Sequence, residues 1–326
     1  MTQPPRPLPL AVFAAAALLP LPLLALGALG GGVWLWLAFL YMGVLTILLD
    51  QLIPLTESTD TPDPAEFPRA DALLVSVALG QLAVLPLVIW GIAGDSALSG
   101  LERGLLFLAA GFWFGQVAHP AAHELIHRPR RELFRLGAAV YTSLLFGQHA
   151  SAHRLVHHRH VATPDDPNTA RAGEGFYRFA LRAWAGSLMQ GMRAETALRS
   201  RSQTAPPGLH PYVGYAIGGA LALGLAALIA GLPGVLVWIL LALHVQSQIL
   251  LSDYVQHYGL TRARQPDGRA APVGPEHSWN TAHWFTSAMM LNARALALSP
   301  TLWRRAIRPH LLRWRPAGPL AQDTAP

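Results

Sequence analysis

PYVGYAIGGALALGLAALIAGLPGVLVWILLALHVQSQILLSDYVQH, residues 211–257, carries no charged side chain before Asp253 and ends on a histidine. Crossing the hydrocarbon of a bilayer takes about 20 mostly apolar residues as a helix, because lipid offers the backbone no hydrogen-bond partner. The stretch therefore reads as two spans, 211–231 and 233–255. Four more of the same character lie upstream, at roughly 8–30, 32–53, 71–94 and 103–122. Six spans predict an all-α integral membrane protein. Composition agrees: of 326 residues, 52% are hydrophobic and 13% charged, too little polar surface to coat a soluble domain of that size.

The first stretch, PLPLAVFAAAALLPLPLLALGALG, has the apolar character of a signal peptide. It is long, however, is preceded only by Arg6, and runs almost directly into a second span, so a retained helix is expected. The chain has no cysteine. Disulfides, Cys-ligated iron–sulfur clusters and a fused rubredoxin-type centre are thereby excluded, leaving histidine and carboxylate as metal ligands. The net charge of +6 comes from arginine alone, with no lysine in the chain, which reads as genome composition and not as nucleic-acid binding. Arginines gather after the fourth span, from Arg128 to Arg171, and after the sixth, at Arg262, Arg264 and Arg269. The positive-inside rule makes those segments cytoplasmic, and counting spans back puts the N-terminus, and the acidic, Pro-rich loop 54–70, on the same side. A multi-pass protein of the bacterial inner membrane with both termini cytoplasmic is expected. Segment 123–210 is too long for a plain connector and is expected to fold as a histidine-rich helical cap at the cytoplasmic surface.

Eight of the fourteen histidines fall between His119 and His160, about an eighth of the chain. In HELIH, His123 and His127 stand four apart, so on a helix both imidazoles project from one face and can share a metal. HExxH alone is also the zinc-protease pattern. HRLVHHRH repeats the device with His153 and His157 a turn apart and His158 adjacent, a second cluster that a mononuclear zinc protease does not need. His257 lies just beyond the sixth span, and His123 about 19 residues, roughly 29 Å, into the fourth, so both reach the same boundary. A single HxxxH is more often structural than ligating; three clusters at one boundary reverse that reading. Few carboxylates and many imidazoles suit iron, copper or zinc, and several clusters favour two metals over one.

Other residues have plainer readings. His244 is mid-membrane and His210 stands alone before a proline, so both are expected to be structural. His119, His149 and His160 flank the clusters outside the paired spacing and are candidates for orienting ligands. Glu124 is either a surface acid or the partner and proton carrier of a ligand, and Asp165 and Asp166 stand likewise; the orienting role is preferred for all three. The run Phe112, Trp113 and Phe114 lies about 10 residues, roughly 15 Å, up the fourth helix from His123. It is a candidate limit on substrate length, with packing between spans as the alternative.

AHELIHR (122–128), SAHRLVHHRHVATPDDPNTAR (151–171) followed by GEGFYRF (173–179), DYVQHYGL (253–260) and HSWN (277–280) together resemble the alkane 1-monooxygenases, in order as well as spacing. The resemblance covers residues 100–294 in detail. It implies a membrane-bound non-haem di-iron enzyme of the desaturase-like superfamily. Such an enzyme uses O2 as co-substrate, hydroxylates a terminal C–H bond of an alkane, and takes electrons from NAD(P)H through rubredoxin reductase and rubredoxin. Carried over by position, the iron ligands would be His123, His127, His153, His157, His158 and His257. Rubredoxins are typically acidic, which fits docking on the arginine-rich cytoplasmic face, and the alkane would enter from the membrane.

The resemblance fails at one place. The family closes with a motif of the form RHSDHH, where this chain reads Leu291, Asn292, Ala293 and Arg294, with no histidine until His310. A tail of mostly Arg, Ala, Leu, Pro and Trp suits an out-of-frame reading of a GC-rich gene, so residues 1–294 read as the hydroxylase domain and 295–326 as an atypical tail. Divergence to a reduced site is the alternative. Either way about three ligands are missing, and at least one iron position is weakened. The competing functions are a fatty-acyl or other lipid desaturase or hydroxylase of the same superfamily, an intramembrane zinc protease, and an inactive remnant.

Overall fold

The computed structural model of the chain describes residues 10–45, 70–201, 208–281 and 295–296. The described structure is almost wholly helical, with only two two-residue strands, Asn280–Thr281 and Ala295–Leu296. Among the described residues, four helices are long and apolar enough to cross a membrane: Phe13–Gly30, Asp71–Ala93, Gly100–His127 and Pro211–Gln256, with a shorter apolar helix at Val33–Leu45. The expectation of six spans is met in part. Of the second stretch only the part to Leu45 is described, and residues 46–53 lie outside the described residues. The fifth and sixth fall within one element, Pro211–Gln256.

That element is interrupted. As a straight helix its 46 residues would run about 69 Å, twice the thickness of a bilayer core. Ala230 and Gly231 leave helical geometry, and Gly231 adopts φ 60° and ψ −147°, a region only glycine enters cheaply. A Cβ on Gly234 would collide with the carbonyl oxygen of Ala226, although residues eight apart on one helix stand about 12 Å apart. The chain therefore doubles back at the break. Gly31 repeats the device, with φ 61° and ψ −146° between the helices Pro20–Gly30 and Val33–Phe39.

The described residues divide into two compact units, one of residues 10–45, 70–150, 213–246 and 295, the other of 151–201, 208–212, 247–281 and 296. In the first unit, helix α1 (Leu10–Leu18) is followed by α2 (Pro20–Gly30), α3 (Val33–Phe39), α4 (Ala70–Ala93) and α5 (Gly100–Trp113). A capping box starts α5: Ser99 Oγ accepts from the Glu102 N–H, and Glu102 Oε2 accepts from the Ser99 N–H at 2.8 Å. The other Glu102 oxygen accepts from the Gly32 N–H at 2.8 Å, tying the α2–α3 turn to the start of α5. A π turn, Phe114–Ala118, joins α5 to α6 (His119–His127), because Pro120 brings no N–H to the carbonyl of Gln116. Helix α7 (Arg131–Ser143) packs on α6 where Gly137 meets the backbone of Ala122. Carbonyls at its C-terminal end, short of backbone donors, accept from side chains of membrane helices: Gln81 to Val140 at 3.2 Å, Trp238 to Ser143 at 2.7 Å and Gln246 to the following Leu144 at 2.8 Å.

The second unit holds a π turn at His153–His157, α8 (Phe176–Arg201) and the last turns of Pro211–Gln256. Its core packs Ala170, Phe179, Ala183, Leu250, Tyr254 and Tyr258. Arg182 braces the loop above this core, donating to both Glu174 oxygens at 2.9 and 2.6 Å and to the carbonyls of Pro167 and Thr169 at 2.8 and 3.0 Å. Tyr254 Oη adds a bond to the Glu174 carbonyl at 2.6 Å. The loop that carries DDPN is therefore rigid.

Candidate metal centre

Helix α6 turns the spacing of HELIH into geometry within the first unit. His123 and His127 lie one turn apart with ring centroids 4.8 Å from each other, and each offers a ring nitrogen to a metal ion. The Glu124 carboxylate stands 3.5 Å from His123 Nδ1, beyond good hydrogen-bond length but close enough to orient the ring. The flanking histidines form an aromatic group that adjoins the ligand pair, the His119 ring standing edge-on to His123 at 6.5 Å. Tyr141 Oη is 2.9 Å from His119 Nδ1, and the His149 ring stacks on Phe146 at 5.0 Å and lies 4.8 Å from Tyr141. His244 sits between Phe107 and Phe112 at 5.6 and 5.8 Å, packed where Gly111 leaves room for its ring.

Four ligand candidates meet in the second unit. Ring centroids separate His153 from His157 by 5.0 Å, His153 from His158 by 4.5 Å, and His157 from His257 by 4.9 Å. An α-helix would swing residues five apart about 140° away from each other. The π turn instead closes its hydrogen bonds at i+5 and brings His158 Nε2 to 2.9 Å from His153 Nε2. Two nitrogens each about 2.1 Å from one ion, at right angles across it, stand about 3.0 Å apart. The donor set fits a transition metal with imidazole preference.

Two of these rings are held from behind. Asp166 Oδ2 accepts from His157 Nδ1 at 2.9 Å and from the Thr169 hydroxyl at 2.6 Å, while Oδ1 accepts from the Asn168 N–H at 3.0 Å. Asn168 in turn donates to Asp253 at 2.6 Å. The His277 carbonyl accepts from His257 Nδ1 at 2.9 Å. Both anchors fix the proton on Nδ1 and leave Nε2 as the ligand atom. Burial disfavours charge on His157, but the Asp166 carboxylate outweighs it and raises the pKa to about 9. Burial and the neighbouring charge of His157 push His257 down to about 4. Asp166 itself is held below its ordinary value: burial works against the charged form and is overcome by His157, Thr169 and the Asn168 N–H.

The structure separates the two aspartates that the sequence treated alike: Asp166 is buried behind His157, whereas Asp165 is exposed. His210 is structural, as expected, accepting from the Tyr212 N–H at the start of Pro211–Gln256. His160 joins neither histidine group and lines an arginine-rich cavity. Sequence reasoning missed the His277 carbonyl, Asp253 and Arg182. Only Asp253, one turn before His257, gave a spacing signal.

Residues 103–294, more than half of the chain, match the family model described as fatty acid desaturase. The chain is similar to alkane 1-monooxygenase 2 of Pseudomonas aeruginosa, 26% identical over 257 residues that cover 74% of this chain and 67% of that protein. It is 30% identical to the alkane 1-monooxygenase of Ectopseudomonas oleovorans over 209 residues, 61% of this chain and 50% of that one. The xylene/toluene monooxygenase hydroxylase component of Pseudomonas putida is 27% identical over 261 residues, 77% of this chain and 66% of that protein. The chain thus spans two-thirds of the first relative's length and half of the second's.

Proposed function

The chain belongs to the fatty acid desaturase family, and we propose that it is an integral membrane hydroxylase that inserts oxygen into the terminal C–H bond of alkanes. The observation that carries this reading is the group His153, His157, His158 and His257, whose rings pack together while Asp166 and the His277 carbonyl hold two of them by Nδ1. With His123 and His127 these make six candidate ligands for two non-haem irons, and Glu124, 3.5 Å from His123 Nδ1, is assigned to orient that ring. Bound iron would supply the activation of dioxygen that no side chain provides. The chain's own residues do the rest. Apolar helices admit a hydrocarbon and exclude water, Asp166 and the His277 carbonyl keep each imidazole in the ligating tautomer, and the arginine-rich segments, read as cytoplasmic, offer an acidic rubredoxin a docking face.

The closing histidine motif remains part of the proposal. Residues 282–294, where it should begin, lie outside the described residues, and the family match ends at residue 294. That end supports reading 295–326 as a tail outside the hydroxylase domain, and the loss of its ligands as impairing turnover. The likeness to a xylene/toluene monooxygenase component favours one second reading, in which the methyl group attacked is carried by an aromatic ring.

Metal analysis of protein purified from iron-replete cells tests the centre, with iron expected at fewer than two per chain; stoichiometric zinc without iron would refute it. A variant with RHSDHH restored from residue 291, supplied with rubredoxin, its reductase and NADH, should convert octane to 1-octanol. Conversion of xylene alone would move the assignment to the second reading, and a desaturated fatty acid as the only product would overturn both.

A further inference from the structure

The second unit contains a cavity of about 370 Å³ that neither the histidine group nor its anchors use. Four arginines line it, Arg159, Arg262, Arg264 and Arg269, with His160 and a single carboxylate, Asp165. The site is built. Residues 263–271 form a hairpin in which the Ala271 N–H reaches the Ala263 carbonyl and the Gln265 N–H the Arg269 carbonyl, both at 2.8 Å. Its turn, PDG, closes on Gly268 at φ 81°. Arg262 pins this hairpin to the histidine-bearing segment: its N–H donates to the Ala162 carbonyl at 2.7 Å and its Nη2 to the Arg159 carbonyl at 2.8 Å. Its Nη1 donates to the Ala271 carbonyl at 3.0 Å, while its Nε is buried and makes no hydrogen bond.

Like charges on one concave wall repel each other, and local carboxylates answer little of that repulsion. Asp165 is one, and Asp267 stands 3.7 Å from Arg269 Nε on the exposed side of the turn. Arg262 holds the hairpin through its backbone contacts and adds its charge, and Arg159, Arg264 and Arg269 bring three more cations to the same concavity, a match in charge for a tetrahedral oxyanion, which takes N–H donors from several sides. We propose that this cavity binds a phosphate group, as a monoester, a diester or free phosphate. A concave site of this size takes a small anionic group and not the face of a protein. Two sources carry the chemistry, an anionic lipid headgroup and a soluble phosphate. The cavity begins only six residues after the apolar element ends at Gln256, which brings a headgroup within reach of the chain. The proposal is independent of the metal site.

The test uses the full chain in zwitterionic detergent. One arm measures binding of radiolabelled inorganic phosphate by equilibrium dialysis, and the other measures phosphatidylglycerol retained from mixed phosphatidylcholine and phosphatidylglycerol micelles by native mass spectrometry. Arg264→Gln with Arg269→Gln, both exposed, should weaken binding at least about tenfold, the scale of one lost charge-assisted hydrogen bond. Arg130→Gln, exposed and far in sequence from the hairpin, should change it less than about twofold. Should the double variant fail to fold, Asp165→Asn reads the same site in the opposite direction and should tighten binding. Phosphate without lipid identifies a soluble ligand, and lipid without phosphate a headgroup. Binding of neither, or equal weakening by Arg130→Gln, or no response to Asp165→Asn, overturns the proposal.

Discussion

Asp166→Asn is the sharpest test of the metal centre, because it removes a charge while leaving the shape of the side chain. The carboxylate accepts three hydrogen bonds, from His157 Nδ1, the Thr169 hydroxyl and the Asn168 N–H. An amide has one oxygen. If it serves the Asn168 N–H, the NH2 group faces the His157 Nδ1–H and cannot accept from it. His157 then loses both its orientation and the electron donation that makes Nε2 a strong ligand. Losing such a partner typically lowers metal affinity about 10- to 100-fold, equivalent to about 1.4 to 2.7 kcal/mol. The assay is iron retained after titration with a chelator, with Asp165→Asn as the neighbouring control, since Asp165 is exposed. Iron loss in Asp166→Asn alone, with helical circular dichroism unchanged, is the expected result. Wild-type retention in Asp166→Asn, or equal loss in both variants, would refute the assignment of His157 as a ligand held by Asp166.

His123→Ala, His153→Ala and His257→Ala should each lower iron content, whereas His210→Ala should cost about 1 kcal/mol of stability as a lost helix cap and leave iron unchanged; equal loss from all four would mean folding and not coordination. In metal-free protein the His157–Asp166 pair sets a pH dependence. The raised His157 pKa contributes stability that is fully present below pH 6.5 and lost as pH rises through about 9, so the melting temperature should fall across that window and Asp166→Asn should flatten it. Of the aromatic run, Trp113 is fully buried and its indole donates to the Ala17 carbonyl at 2.9 Å, so Trp113→Ala should cost about 3 to 5 kcal/mol and lower yield without a shift in chain length. Phe112 stands beside His244 and is only partly buried; Phe112→Ala, in the version with its closing histidines restored, should extend the range to longer alkanes, and an unchanged range would end the idea of a length limit.

The sequence by itself determined the helical class, the apolar spans suited to a membrane and the clustering of the histidines. Each follows from a local rule: a run without charge must bury its backbone in a helix, and His123 and His127 at i and i+4 must share a face. It also placed the two apolar stretches on either side of residue 232, although only the structure showed them as one element that reverses at Ala230 and Gly231. The second histidine group was legible as a cluster but not as a geometry. A π turn depends on hydrogen bonds that no residue pattern announces, and that turn, not the α-helical spacing, puts His158 opposite His153. Asp165 and Asp166 are chemically identical neighbours, and only the fold buries one behind His157 and leaves the other at an arginine-lined cavity. His277 was invisible as a functional residue because it acts through its backbone carbonyl, a group every residue has. Periodicity and composition report what each residue prefers, while distances between segments a hundred residues apart, such as Arg262 and Arg159, are fixed only when the chain packs.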